Sequence, residues 1–420
     1  MRVSEWRLVA LGDVLEIQHG FAFRGEFYDA SGTDVLLTPK NFEPSGGIDV
    51  TDRRCKRYSG PTDERFVLGD GDIVVAMTDL KQDAPILGST GVVPNGGRYL
   101  HNQRIGKVLI RDSDRLHRGF VPWLLNSPSV REGVRATATG ATVRHTAPAR
   151  ICAIRAPLPS IDVQRRIAAV LSAFDELIEI NERRIELLED LARSLYREWF
   201  VHFRFPGHED VELVDSELGP IPEGWDIRGL FEVADVGFGF PFKSSRFAAA
   251  GKGPLIRIRD LPRGRTNTFT DEEPDIRYRV IDGDTLVGMD GEFYVRQWSG
   301  GESWLNQRVA RLRPLRDLSS RHLMLAVTGP IKAWNDAIVG TTVAHLGKRH
   351  LERIRLVIPP PHLLRTAGAV LDSLAELQRS CQHQNHQLAA TRDLLLPRLV
   401  TGRLDISEID LGILTPTEVE

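Results

Sequence analysis

Beyond residue 160 the hydrophobic side chains fall into step. Ile167, Leu171, Phe174, Ile178, Asn181, Ile185, Leu188, Ala192, Leu195 and Trp199 follow one another at alternating spacings of four and three. That is the a/d pattern of a helix burying one narrow seam, with a single polar interruption at Asn181. At 1.5 Å per residue, about 35 such residues make a rod of roughly 50 Å. The stretch follows a proline boundary, Pro157-Leu158-Pro159. A second boundary, Pro359-Pro360-Pro361, opens a weaker seam of Leu371, Leu374, Cys381, Leu388, Leu395 and Leu399, with polar Gln378 and Asn385 inside it. A stripe that is long, set off by prolines and present twice predicts two long helices packed on each other. The segment Ser380–Gln387 is poor in charge and in apolar anchors, so the pattern leaves the register between the helices open.

Ahead of each seam lie short β-type runs, Ile73–Met77 and Lys107–Ile110, then Thr285–Met289 and Arg308–Leu312, divided by Gly, Pro and Asp turns. Helical stretches at Gly119–Asn126 and Ser320–Val327 sit among them. The expected fold class is α+β, with two globular parts and two long helices.

The two halves resemble each other. The opening Trp6, Leu11, Val14, Gly20, Phe21, Phe23, Arg24 is answered by Trp225, Leu230, Val233, Gly239, Phe240, Phe242, Lys243. Asp70-Gly71-Asp72 with Met77 is answered by Asp282-Gly283-Asp284 with Met289, and Asn102-Gln103-Arg104 by Asn306-Gln307-Arg308. Gly140, Thr142, Val143 and His145 are answered by Gly340, Thr342, Val343 and His345. The order is kept throughout, which makes the chain a duplicated unit of about 200 residues. Two matched halves can set their helices antiparallel and so acquire a pseudo-two-fold axis.

The 420 residues, 41% hydrophobic, are enough for more than one core. The net charge of −3 hides an alternation. Residues 1–157 carry 21 basic and 18 acidic side chains, 158–217 carry 7 and 14, 218–357 carry 21 and 17, and 358–420 carry 5 and 8. Two mildly basic blocks thus alternate with two acidic ones, and the domains are drawn at those boundaries. Cys55, Cys152 and Cys381 are far apart and never form a C-x-x-C pair, which excludes a zinc ribbon and suits a reducing compartment. No apolar run approaches the roughly 18 residues that span a bilayer, and the first residues lack the apolar core of a secretory signal. The expectation is a cytoplasmic protein with no membrane partner.

No P-loop, dinucleotide fingerprint, N/D-P-P-Y/F methyltransferase tetrad or deaminase set occurs. Asp70 and Asp72 followed by Asp79-Leu80-Lys81 loosely resemble a metal-nuclease site, but the second half keeps only the Asp-Gly-Asp turn. His145 and His345 recur without neighbouring metal ligands and read as loop histidines meeting backbone or phosphate. Asn, Gln and Arg can read adenine and guanine edges. A triplet present in both halves, such as Asn102-Gln103-Arg104, points rather to framework or phosphate. Sequence readout is expected from loop residues that differ between the halves. In the first these are Arg24, Lys40, Asn41, Lys81, Gln82 and Arg144. In the second they are Lys243, Arg257, Arg259, Arg263, Arg265, Arg296 and Gln297. Arg104, Arg308, His145 and His345 complete the candidate DNA-contact set.

These residues resemble the specificity subunit of type I restriction-modification enzymes, over essentially the whole chain. The resemblance rests on the twice-given Trp-x-x-x-x-Leu-x-x-Val opening with Gly-Phe-x-Phe-Arg/Lys and on Pro157–Leu171 with the helix after it. Leu218–Trp225 and Leu394–Leu404 match as well. It implies a non-enzymatic subunit with two target recognition domains (residues 1–157 and 218–357). Two helical regions (158–217 and 358–420) would form an antiparallel coiled coil. Each domain would read one half of a split double-stranded DNA site. The helices would set the gap and dock two modification (methyltransferase) subunits, with restriction subunits joining in the full complex. S-adenosylmethionine, ATP and Mg²⁺ would belong to those partners and no cofactor to this chain. The rivals are a stand-alone nuclease or methyltransferase with a specificity-like region, and a protein scaffold that no longer reads DNA.

Overall fold

The structure, a computed structural model, describes residues 6–51, 54–315, 317–337 and 345–406. Gly340, Thr342 and Val343 of the repeated loop lie outside them. The chain divides into two compact units, Met1–Ile178 with Gln387–Glu420, and Glu179–His386.

In the first unit a four-stranded antiparallel sheet runs in the order Leu15–His19, Ile105–Ile110, Ile73–Ala76, Thr90–Val92. A second sheet runs Lys56–Tyr58, Asp34–Leu37, Tyr99–His101, Val67–Leu68, with Asp34–Leu37 parallel to Tyr99–His101. Arg7–Ala10 pairs with Arg155–Leu158 and ties the start of the unit to its end. The second unit repeats this plan. Ala234–Phe238, Val309–Pro314, Thr285–Gly288 and Val295–Gln297 form the antiparallel sheet. Gly253–Ile256 lies parallel to Ser303–Leu305 in the other, and Asp226–Gly229 pairs with Arg355–Ile358.

The repeated glycines have a steric reason. Phe21 pairs in parallel with Asn102, and Phe240 with Asn306. A Cβ on Gly20 or Gly239 would run into the Asn102 or Asn306 carbonyl. Asp72 and Asp284 also keep one job: each carboxylate accepts an amide of its own turn, from Gly69 (2.8 Å) and Ile281 (2.9 Å). Each also pairs with a cation of the neighbouring strand, Lys107 (2.5 Å) and Arg313 (2.7 Å).

The long helices are Ile161–Tyr196 and Pro361–Leu399, 36 and 39 residues, the first opening just past its prolines and the second on the last of its three. Every described seam position is buried or half-buried. In the first unit Ile167 and Leu171 share a core with Leu395 and Leu399, and Asp175 pairs with Arg392. In the second, Ala192 and Leu195 pack with Leu371 and Leu374. Gln378 donates to Glu189 (2.7 Å), and Asn181 donates to Asn385 (2.9 Å). In both units a step forward along one helix is a step backward along the other. The register that the sequence leaves open is set here by polar residues meeting polar partners.

Two histidines are buried without charge. The His101 Nε2 lies 3.0 Å from the Ile105 carbonyl oxygen, and burial pushes its pKa down to about 4. His322 packs between the rings of Tyr196 and Phe200, with centroids 5.3 and 4.5 Å away, and burial pushes it down to about 3. An unfolded chain protonates both near pH 6.5. The stability they confer is complete above that value and is lost as pH falls toward 4. Chemical denaturation at pH 7.5 and pH 5 should show a lower unfolding free energy at pH 5, by about 2 kcal/mol from His101 alone. Equal values at the two pH values would contradict the burial of neutral histidine.

Candidate nucleic-acid interface

On the first unit Tyr28, Lys40, Lys56, Leu80, Gln103 and Arg104 converge on a recess of about 210 Å³. Each is placed by a local device. Lys40 rides a single 3₁₀ turn, Pro39–Asn41, held by Asn41 Oδ1 accepting the Thr38 amide at 2.8 Å. Arg104 follows Asn102, whose Oδ1 accepts the Arg104 amide at 3.0 Å. Lys56 begins a strand, and its Nζ stands 4.7 Å from the centre of the Tyr28 ring. The loop presenting Leu80, Lys81 and Gln82 hangs on buried Asp79, which accepts the amides of Lys81 (2.9 Å) and Ile86 (2.7 Å). Beside it lies the strand Arg144–His145, paired with Thr78–Asp79.

Unpaired cations gather on this face. Lys40, Lys56, Lys81 and Arg104 have no carboxylate partner among the described residues. Three other arginines of the unit are neutralised: Arg54 by Glu43 and Asp49, Arg98 by Asp34 and Glu64, Arg111 by Glu16. Unpaired exposed cations gathered around an exposed leucine and tyrosine make a surface suited to a polyanion with apolar faces.

In the second unit Arg257 caps a 3₁₀ turn, Ile258–Arg263, through Asp260 accepting its amide at 2.9 Å, the counterpart of Thr38 and Asn41. Arg259 thereby takes the place of Lys40 and is exposed, as are Arg263 and Arg265. Arg308 is held by Asp290 (3.0 Å), whose other oxygen meets His345 Nδ1 at 2.6 Å. Asp290 stands where the first unit has Thr78, since each bridges the repeated histidine.

Several expectations need correction. Asn41 is fully buried and its amide is in use, accepting from Thr38 and donating to the Asp49 carbonyl (3.0 Å), so it is framework and not a base reader. Arg296 donates to the Pro262 carbonyl at 2.7 Å and is half-buried; it braces the 3₁₀ turn. Gln297 donates to Gly283 in the same way. The repeated triplet divides: Asn102 and Asn306 are buried framework, while Gln103, Arg104, Gln307 and Arg308 are exposed. The nuclease-like carboxylates Asp72 and Asp79 are occupied by backbone amides. Arg24 and Lys243 are exposed, Arg24 beside Glu26 at 3.5 Å. Arg144 donates to the Gly140 carbonyl (3.3 Å), and His145 remains exposed. Sequence reasoning missed Tyr28, Lys56 and Leu80, which no motif joins. It also missed the buried clamps Arg131, which donates to Leu87, Pro85 and Pro44 carbonyls, and Arg311, which donates to Arg277 and Arg279 carbonyls.

A duplicated α+β frame with a cation-lined face is suited to meeting a nucleic acid. Residues 3–190 match the family model of the type I restriction modification DNA specificity domain. The specificity subunit of the type I restriction enzyme MjaIX from Methanocaldococcus jannaschii is 25% identical over 431 residues, 97% of this chain and 95% of that protein. The EcoBI specificity subunit of Escherichia coli is 33% identical over 214 residues, 50% of this chain and 45% of its own length. The crystal structure of the S subunit of a type I restriction-modification system from M. genitalium has the same fold, with a TM-score of 0.56 at 18% identity over 94% of this chain and 96% of that one. Residues 3–190 thus carry the type I restriction modification DNA specificity domain, and nearly the whole chain is similar to a specificity subunit of such systems, whose family function is DNA recognition. Such subunits are the non-catalytic recognition components and work in complexes with methyltransferase and restriction subunits. No helix among the described residues is long and apolar enough to cross a membrane.

Each phosphate contact contributes about −0.9 to the slope of log affinity against log salt. Lys40→Ala and Arg104→Ala, in the assembled complex on its DNA site, should each reduce that slope by about 1. Asn41→Ala should leave the slope unchanged and lower the thermal midpoint. A slope that responds to Asn41 and not to Lys40 would contradict this assignment.

Proposed function

We propose that this chain recognises a split double-stranded DNA site, one half with residues 1–157 and the other with residues 218–357. In this reading the helical regions 158–217 and 358–420 form an antiparallel coiled coil that fixes the gap between the halves. The observation that carries the reading is the repeat: one α+β frame present twice, with recurring Gly, Asn and Asp framework residues but different side chains on the turns beside them. Lys and Arg seat each domain on phosphate, and loop side chains read base edges, mainly in the major groove. Two weak half-site affinities joined by a stiff rod combine through effective concentration. The Asn181–Asn385 and Glu189–Gln378 pairs support the coiled coil, since a buried polar pair specifies register at some cost in stability.

Two modification subunits dock on the helices, and restriction subunits join that core. Ile180, Leu187 and Leu191 on one helix and Leu377 on the other are about half exposed, which leaves apolar side chains for partner proteins. The acidic balance of 158–217 suits the same role, because it disfavours DNA there. S-adenosylmethionine, ATP and Mg²⁺ belong to the partners in this reading, and the assembly acts in the cytoplasm. The engagement of Asp72 and Asp79 by backbone amides supports assigning no metal to this chain.

Inserting one heptad between Ile185 and Leu195 and a matching heptad between Leu371 and Cys381 tests the ruler. Methylated-base sequencing of a host carrying the lengthened chain and its methyltransferase subunit should return the same half-sites with a different gap. An unchanged gap would contradict the proposal.

A further inference from the structure

The two units place an aromatic ring at one position and a different cation over it. Tyr28 and Phe247 each follow a 3₁₀ turn, Gly25–Phe27 and Ser244–Arg246, that begins after Arg24 or Lys243. Over Tyr28 stands Lys56, which comes from a neighbouring strand. Over Phe247, 5.5 Å from its centre, stands the guanidinium of Arg257. Arg257 holds the capping position that Thr38 holds in the first unit, and Thr38 lines the recess there.

The donors of Arg257 are idle. Its guanidinium makes no hydrogen bond or ion pair with any described residue, and its Nε is shut off from solvent without a partner. The nearby Asp260 carboxylate is taken by the Arg257 backbone amide. Only the Nε is enclosed, so the two terminal nitrogens of the fork stay open to an acceptor from outside the chain. Stacking on Phe247 holds the planar fork in one orientation. That fork matches paired acceptors, either the O6 and N7 of a guanine or two oxygens of a phosphate.

The comparison of the units separates these two sources. Cations that seat a domain on phosphate should recur, as Lys40 and Arg259 do on equivalent turns. A residue that reads sequence should differ, as Thr38 and Arg257 do. We propose that Arg257, held over the Phe247 ring, reads a guanine in the half-site bound by the second unit. The inference rests on the split-site reading given above.

The test is methylated-base sequencing of hosts carrying the native chain, Arg257→Lys or Arg257→Ala, each with the same methyltransferase subunit. The lysine variant keeps the charge and loses the fork. It should cut the preference for one G·C pair about tenfold or more, in one half-site only, with the other half and the gap unchanged. The alanine variant should relax the same position. A native split motif that survives intact in the lysine variant, with the alanine variant merely weakening binding to every sequence, would make Arg257 a phosphate contact and overturn the proposal alone. The absence of any split motif with the native chain would overturn the broader reading and this inference together.

Discussion

One close approach of two backbones organises each half of the molecule. Phe21 donates to the His101 carbonyl at 2.8 Å and accepts from the Gln103 amide at 2.9 Å. Phe240 donates to Leu305 at 2.9 Å and accepts from Gln307 at 3.0 Å. The approach is possible only because Gly20 and Gly239 lack a Cβ. It locks the segment after Leu15–His19, or after Ala234–Phe238 in the second half, to the turn that carries Gln-Arg, with the Asn102 side chain capping that turn in the first half. The loops that present Lys40 or Arg259 branch from strands that flank this clamp. The contact therefore aims exposed chemistry using only backbone and buried amides.

With aiming delegated to framework residues, the positions beside them can vary. Thr38 is exchanged for Arg257 and Thr78 for Asp290 with no change of strand order around them. Asp290 in turn engages Arg308 and His345, so the second unit neutralises a cation that the first leaves free. Duplication of this kind gives two faces of one shape and different chemistry, the arrangement a chain needs to bind two unlike sequences with one fold.

The sequence announces what depends on periodicity and repetition. The 4-3 seam and the proline boundaries give the long helices, because burial along one narrow stripe leaves a regular trace. The repeated Gly, Asn and Asp-Gly-Asp give the framework. Less legible are features made by strand pairing: Lys56 meets Tyr28 only because Tyr28 bridges Tyr58 across the sheet. Asn41 and Arg296 mislead for a different reason. Amides and guanidinium groups suited to base edges are equally suited to capping a turn or bracing carbonyls, and only burial tells the two uses apart. The second helix is the opposite case, where weak apolar patterning conceals a well-determined register because Gln378 and Asn385 find polar partners.

The central claim is that two copies of one frame in a single chain contact DNA at two separate places. Hydroxyl-radical footprinting of the assembled complex on its own site measures this directly. The account predicts two protected tracts divided by a gap of fixed length, with charge removal at Lys40 and Arg104 weakening one tract selectively. A single continuous tract, or protection that weakens evenly across the site when those two residues are changed, would contradict it.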